Sequence, residues 1–295
     1  GAVASSAWYE VIKRDFVAGE YVWTGFDYIG EPTPWNGTGK GAQGTWPSPK
    51  NSYFGIIDTA GFPKDSYYFY QSQWNDEVNT LHILPAWNED VVKKDSNGKV
   101  PVVVYTDAKK VELFFTDAKT GDKTSLGTKE FTQKQSNAQG YTYQYYEGAD
   151  KSGTEHKNLY LTWQVPYKAG TISAVAYGQD GQKISEEKLN GRTSVTTTGE
   201  KKNLKATVDR DTIAADGADL TYVTVDVTDK DGNIIPNAED KVTFKVEGEG
   251  KLVGIDNGRQ DDHTSYQANS RNAFAGKVLA IVQSTKKAGS ITVTA

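Results

Sequence analysis

Two tryptophans and two carboxylates stand close together at Trp23, Asp27, Glu31 and Trp35. An indole face is flat and apolar, so it packs against the C–H groups of a sugar ring, while carboxylates accept hydrogen bonds from its hydroxyls. Both residue types in one short stretch are the chemistry of a carbohydrate site. The stretch reads Glu20-Tyr-Val-Trp-Thr-Gly-Phe-Asp-Tyr-Ile-Gly-Glu-Pro-Thr-Pro-Trp35. An apolar strand over Tyr21–Tyr28 is predicted to run straight into a loop stiffened by Pro32 and Pro34. A strand that only fills a core needs no such loop. No domain stands in front of it to complete the cleft, so the chain is expected to be the back end of something larger.

Other candidates for chemistry are weaker. Taken alone, a strand tryptophan such as Trp23 is more often core than platform, and Trp35 reads either as a surface aromatic or as a sugar platform. Asp27 and Glu31 lie on a strand-to-loop path that does not fix their separation, so they read as loop-holding or hydroxyl-binding groups rather than an acid–base pair. His82, His156 and His263 share no metal-ligand spacing, and no metal site is expected. His82 reads as a structural residue on a strand. Asp229-Lys-Asp-Gly-Asn233 begins like a calcium loop, but Ile234 replaces the required glycine and Asp240 the closing glutamate, so it reads as a hairpin turn. Asn36-Gly-Thr38 matches a glycosylation acceptor too short to weigh. Trp87 and Trp163 are expected in cores.

Composition bounds the rest. The 295 residues call for two or three domains, and 37% hydrophobic with 24% charged residues permits packed cores. A formal charge of −5 gives no support for nucleic-acid or anionic-membrane partners. There is no cysteine, so neither disulfides nor thiolate metal sites are possible. No apolar run approaches a membrane span of about 18 residues, and no membrane insertion is expected. The N-terminal residues carry no signal-peptide pattern.

The elements that must position the site differ along the chain. Half of the Phe, Trp and Tyr residues fall in residues 1–79, whereas residues 200–295 hold only Tyr222, Phe244, Tyr266 and Phe274. Trp8, Val11, Ile12 and Phe16 recur at helical spacing, with Gly19 placed to end that helix. Pro63 suits the first turn of a second helix, with Tyr67, Tyr70 and Trp74 on one face. Helix, strand, loop, helix is a piece of an α/β unit. From Thr80 onward, strands are predicted at 81–84, 102–105, 111–115, 141–146, 159–165 and 172–177, the signature of an antiparallel sandwich. Thr193–Asn203 is polar and reads as a linker. A second sandwich is predicted from strands at 204–208, 220–228, 242–247, 252–255, 277–284 and 291–294.

Gly19-Glu-Tyr-Val-Trp-Thr-Gly-Phe-Asp-Tyr28, Glu31-Pro-Thr-Pro34, Ser52-Tyr-Phe-Gly-Ile-Ile-Asp-Thr-Ala-Gly-Phe-Pro-Lys64 and Tyr67–Trp74 resemble the end of the catalytic barrel of glycoside hydrolase family 2, most closely its streptococcal-type multi-domain β-galactosidases. Leu81-His-Ile-Leu-Pro-Ala-Trp87, Val102-Val-Val-Tyr-Thr106 and Val111-Glu-Leu-Phe114 resemble the sandwich that follows. Ala214-Ala-Asp-Gly217, Val223-Thr-Val-Asp-Val227, Asp231-Gly232 and Gly254-Ile-Asp-Asn-Gly258 resemble a bacterial immunoglobulin-like domain. The resemblance implies a mixed fold: the end of a (β/α)8 barrel over 1–79, a β-sandwich over 80–192, a linker over 193–203 and an immunoglobulin-like sandwich over 204–295.

Barrel active sites lie at the C-terminal ends of the strands, which would put Trp23, Asp27, Glu31 and Trp35 on the catalytic face. The resemblance implies Trp23 as the floor beneath a galactosyl ring and a cis Trp23–Thr24 peptide. It also implies retaining chemistry by two glutamates ~5–5.5 Å apart. Both belong to earlier strands and are missing from this chain. The expected function is therefore part of a bacterial cell-surface β-galactosidase acting on terminal β-galactose of glycans, with no cofactor, completed by the rest of the barrel. The isolated chain is expected to be inactive. Two alternatives remain open: an adhesion or spacer module binding glycans through its sandwiches, and a β-glucuronidase. A uronate would call for basic partners, and residues 20–36 contain no Lys or Arg.

Overall fold

The computed structural model describes residues 2–32, 48–135, 142–147 and 158–295, with side chains from residue 4. It is mostly β-sheet, with two α-helices among the described residues. The chain divides into two compact units that do not follow chain order. One comprises Gly1–Val22 with Pro63–Thr197, the other Trp23–Phe62 with Thr198–Ala295.

In the first unit, helices α1 (Ala2–Ile12) and α2 (Asp65–Trp74) accompany strands β1 (Asn79–Leu84), β2 (Lys99–Thr106), β3 (Lys110–Asp117), β4 (Lys123–Glu130), β5 (Thr132–Gln135), β6 (Thr142–Tyr145), β7 (Leu161–Pro166), β8 (Gly170–Tyr177), β9 (Leu189–Asn190) and β10 (Ser194–Thr196). One sheet runs β7-β2-β1-β9 and a second β10-β8-β3-β4, with β5 and β6 as a separate hairpin. Alternation along the strands sends Leu81, Ile83, Val102, Val104, Leu161 and Trp163 to one side of the first sheet. There they meet Val111, Leu113 and Ile172 of the second. The opposite residues of the first sheet, including Val103, Leu84 and Tyr105, pack with Phe69 of α2 and Tyr9 of α1. The first sheet is thus covered on both faces. That explains why Val102–Tyr105 of β2 reads as an unbroken apolar run rather than an alternation.

The helices differ from expectation in their ends and faces. Helix α1 stops at Ile12, and Arg14 N–H to Val11 O and Val17 N–H to Arg14 O close tight turns that carry the chain out of the helix. Phe16 therefore lies beyond it, 86% exposed, and Gly19 does not cap it. Helix α2 begins at Asp65 behind an extended Lys64, so Pro63 sits outside the first turn. Its deepest side chain is Phe69, edge-on to Tyr105 at 5.5 Å. Tyr70 and Trp74 instead turn toward α1, where Trp8 meets Trp74 at 5.4 Å. A helix wedged between a sheet and another helix needs two apolar faces, and the single-face reading caught only one.

The second unit carries β11 (Asn203–Val208), β12 (Leu220–Thr228), β13 (Lys241–Thr243), β14 (Lys245–Gly248), β15 (Gly250–Asp256), β16 (Ser270–Asn272), β17 (Lys277–Ser284) and β18 (Ile291–Thr294). A sheet β11-β12-β17-β15 is joined by the pairs β13-β16 and β14-β18. Val223, Val225, Val278, Ala280 and Val282 meet Val242, Phe244 and Ile255 in a core of small side chains. The Asp229–Asn233 turn closes as a hairpin: the Asp229 carboxylate accepts from the amides of Asp231 and Asn233, and Gly232 takes φ 85°.

Three regions depart from the sequence reading. Strands β4, β5, β9, β10 and β16 escaped it because β4 and β5 are polar and the others are only two or three residues long; of these, β10 (Ser194–Thr196) pairs with β8 inside the run read as a linker. Tyr21–Tyr28 forms no ladder. Among the described residues it pairs through an isolated bridge, Phe26 with Ile57, and Ile29 just beyond it bridges Asn51. Among the described residues no strand ladder flanks this segment on either side.

Candidate functional site

The site is built from the backbone outward. Segment 24–30 lies along segment 50–57: Asp27 N–H donates to Ile57 O at 2.8 Å, Ile57 N–H to Gly25 O at 2.9 Å, and Ile56 N–H to Thr24 O at 3.0 Å. Further along, Ser52 N–H donates to Tyr28 O at 2.9 Å and Gly30 N–H to Lys50 O at 3.0 Å. The approach is close enough to require glycine. A Cβ on Gly55 would fall 2.2 Å from the Asp27 nitrogen. Satisfying both strands' polar groups in this way lets an irregular segment remain ordered without a sheet.

On that base the expected residues separate by environment. The Trp23–Thr24 peptide is cis, and the Trp23 ring is 73% exposed with its edge toward Tyr28. Tyr28 in turn meets Phe54 edge-on at 5.8 Å. Asp27 is 4% exposed, and its Oδ1 accepts from Gly55 N–H at 2.8 Å, so it anchors the segment. Glu31 is exposed and accepts from the Tyr28 hydroxyl. That bond, foremost, raises the Tyr28 phenol above its ordinary value because it favours the protonated form. Trp35, Asn36 and Thr38 lie outside the described residues, as does His156.

Asp27 and Glu31 therefore do different work. One carboxylate holds backbone in a buried place and the other orients a phenol in solvent. Neither is the work of an acid and nucleophile set across a glycosidic bond. The sequence reading missed Tyr28, Ser52 and Gly55 as parts of the site. Gly55 carried the only signal, as an isolated glycine in an apolar run.

A second polar constellation lies in the first unit. His82 is buried, with Nε2 2.8 Å from Asp65 Oδ1, and its Nδ1 accepts from Arg192 N–H at 3.2 Å. Arg192 Nη2 donates to Asp65 at 2.7 Å, and the Tyr68 ring stacks on the imidazole at 3.9 Å. Burial, the largest influence, holds the His82 imidazole below its ordinary value against the hydrogen bond to Asp65. For Asp65 burial pushes upward, but His82 and Arg192 outweigh it and hold the carboxyl below its ordinary range. Both imidazole nitrogens are engaged, so the cluster ties α2 to β1 instead of moving protons. Trp87 and Trp163 are buried and donate from Nε1 to Lys168 O and Gly127 O. Among the described residues no group of three or more His, Cys, Asp or Glu could hold a metal ion, and no described helix is long and apolar enough to cross a membrane.

Fold and site together define a sheet-rich protein of β-sandwich type with an exposed indole on an anchored loop. Residues 204–295 match the family model described as glycoside hydrolase family 2 C-terminal domain 5, and residues 97–185 match a domain of unknown function, DUF4982. A Bacteroides ovatus β-galactosidase is 35% identical over 285 residues, covering 97% of this chain and 28% of the relative. A putative β-glucuronidase of Formosa agariphila is 32% identical over 278 residues, covering 93% of this chain and 22% of its own length. Among solved structures, a β-glycosidase from Bacteroides vulgatus superposes with a TM-score of 0.65 at 28% identity, over 91% of this chain and 28% of that one. A glycosyl hydrolase family 2 member from Bacteroides cellulosilyticus gives 0.67 at 27% identity, over 98% and 34%. These likenesses place the chain with the C-terminal region of glycoside hydrolase family 2 proteins. It spans about a quarter of the length of these curated relatives.

Proposed function

We propose that this chain is part of a retaining β-galactosidase and supplies one wall of its galactoside pocket, with the catalytic glutamates provided by barrel segments outside it. The observation that carries the reading is Trp23: an indole 73% exposed, carried by a backbone that Asp27 and Gly55 lock in place. A large exposed aromatic on a fixed loop is a stacking surface for a sugar ring. Tyr28 and Glu31 sit beside it as hydroxyl partners. The β-glucuronidase alternative would need a cation at the uronate. Lys50, which pairs with Gly30, spends its ammonium on Arg259 O and Asn51 Oδ1, which favours a neutral sugar. The barrel end over 1–79, the immunoglobulin-like character of the last domain and a bacterial cell-surface location belong to the same proposal.

Two measurements test it. A chromogenic β-galactoside incubated with the pure 295-residue chain is expected to show no turnover, and measurable hydrolysis would overturn the division of labour. Titration of a β-thiogalactoside against tryptophan emission is expected to give a response that Trp23→Phe abolishes. A response that survives this substitution would remove Trp23 from the site.

A further inference from the structure

The Gly254-Ile-Asp-Asn-Gly258 motif has no part in the pocket as proposed, yet its residues reach the segment on which the pocket rests. Thr59 Oγ1 donates to Asp256 Oδ2 at 2.7 Å. Lys50 N–H donates to Gln260 O at 2.9 Å, and His263 Nε2 donates to Ser48 O at 2.6 Å. Gly258, at φ +72°, comes so near Asp58 that a Cβ would fall 2.1 Å from its Oδ2. Segment 50–57 in turn provides the backbone partners of segment 24–30. The order is therefore sandwich turn, supporting segment, Trp23 segment.

Asp256 is fitted to that task from behind. Its Oδ1 accepts from Asn257 N–H at 2.8 Å and lies 3.3 Å from Nη1 of Arg271, a guanidinium with no exposed surface. Asp262 approaches the same guanidinium at 3.5 Å. One carboxylate oxygen is thus fixed by a buried cation and a backbone amide, and the other is left to receive Thr59. A buried, charge-fixed acceptor is a stiff anchor, since moving it would uncover an unpaired charge.

We infer that Asp256 is a positioning residue of the sugar site: through Thr59 it holds segment 48–62, and so sets where Trp23 stands. The C-terminal sandwich then acts on substrate recognition instead of serving as a spacer. This inference rests on the sugar-site reading, so its test has two arms.

Thr59→Val removes the hydroxyl and leaves the Asp256–Arg271 pair intact. Hydrogen exchange on the 295-residue chain is expected to show amides of 24–30 and 50–57 exchanging roughly tenfold faster, with β12 and β17 unchanged. Thr59→Ser is expected to restore wild-type exchange. Unchanged exchange at 24–30 in Thr59→Val overturns the inference. In the second arm, a β-thiogalactoside is titrated by tryptophan emission with Trp23→Phe as blank, and Thr59→Val is expected to weaken binding severalfold. Faster exchange with undiminished binding overturns the link to the site. If the unsubstituted chain gives no Trp23-dependent response, the sugar reading fails, and exchange alone decides whether Asp256 positions the segment.

Discussion

Trp87 in the first unit and Trp23 in the second show two uses of one residue type. Trp87 has no exposed surface, lies against Tyr167 at 5.2 Å and gives its indole N–H to Lys168 O. Trp23 turns most of its ring to solvent while the backbone that follows it, at 24–30, is hydrogen-bonded to segment 50–57. The first unit spends aromatic volume on filling a sheet covered on both faces. The second fills its core with valines and alanines and leaves its one described tryptophan outside. An aromatic side chain becomes core or platform according to what the tertiary structure places over it.

The comparison is open to four tests, taken from the largest effect to the smallest. Trp87→Ala is expected to cost about 3–5 kcal/mol in urea unfolding, because a large void opens between the sheets and Lys168 O loses its donor. A loss below about 1 kcal/mol would mean the indole is not the core element described. Gly55→Ala pushes a methyl group into the Asp27 backbone and is expected to cost about 2 kcal/mol, read in the unfolding of the second unit. Wild-type stability there would show that the close approach between 24–30 and 50–57 is not maintained in solution.

The third test is acidification. His82 is held below its ordinary value of 6.5, so the unfolded chain takes up a proton before the folded one does. Stability contributed by neutral His82 is present above 6.5 and is lost as pH falls from there toward the folded value. Asp65 is held below 3.8, so its contribution persists until the solution is more acid than that. Thermal unfolding of the first unit is expected to weaken between pH 7 and pH 5. His82→Gln, less stable throughout, is expected to lose that slope, and an unchanged slope would assign it to other groups. The smallest expected effect is Trp23→Ala, within about 0.5 kcal/mol of wild type because the ring is mostly exposed and its recorded ring contact is the edge against Tyr28. Its thiogalactoside response should nonetheless vanish. A large loss of stability would make Trp23 a core residue after all.

Much of the sheet structure was legible because β1, β2, β7, β12 and β17 are runs of β-branched and aromatic residues bounded by turn residues. Polar edge strands such as β4 and β5 were not, since they bury little and so carry no alternation. Helix α2 was visible, but its double face was not, because periodicity records only the stronger apolar stripe. The grouping of Trp23, Asp27 and Glu31 could be seen from residue types alone. Their different roles could not, since burial of Asp27 depends on Gly55, and the Tyr28 bond to Glu31 depends on how the backbone turns.

The sequence by itself determined which residues could form strands, that disulfides and thiolate metal sites are excluded, and that two carboxylates and a tryptophan share one short stretch. These are properties of residue type and spacing, carried by local physics. Only the tertiary structure decided that Trp23 faces solvent while Trp87 does not, and that His82, Asp65 and Arg192 meet. It alone decided that Asp256 reaches Thr59 across 197 positions of chain. Such contacts join segments far apart in sequence, and no local pattern encodes a partner that folding alone brings within hydrogen-bond reach.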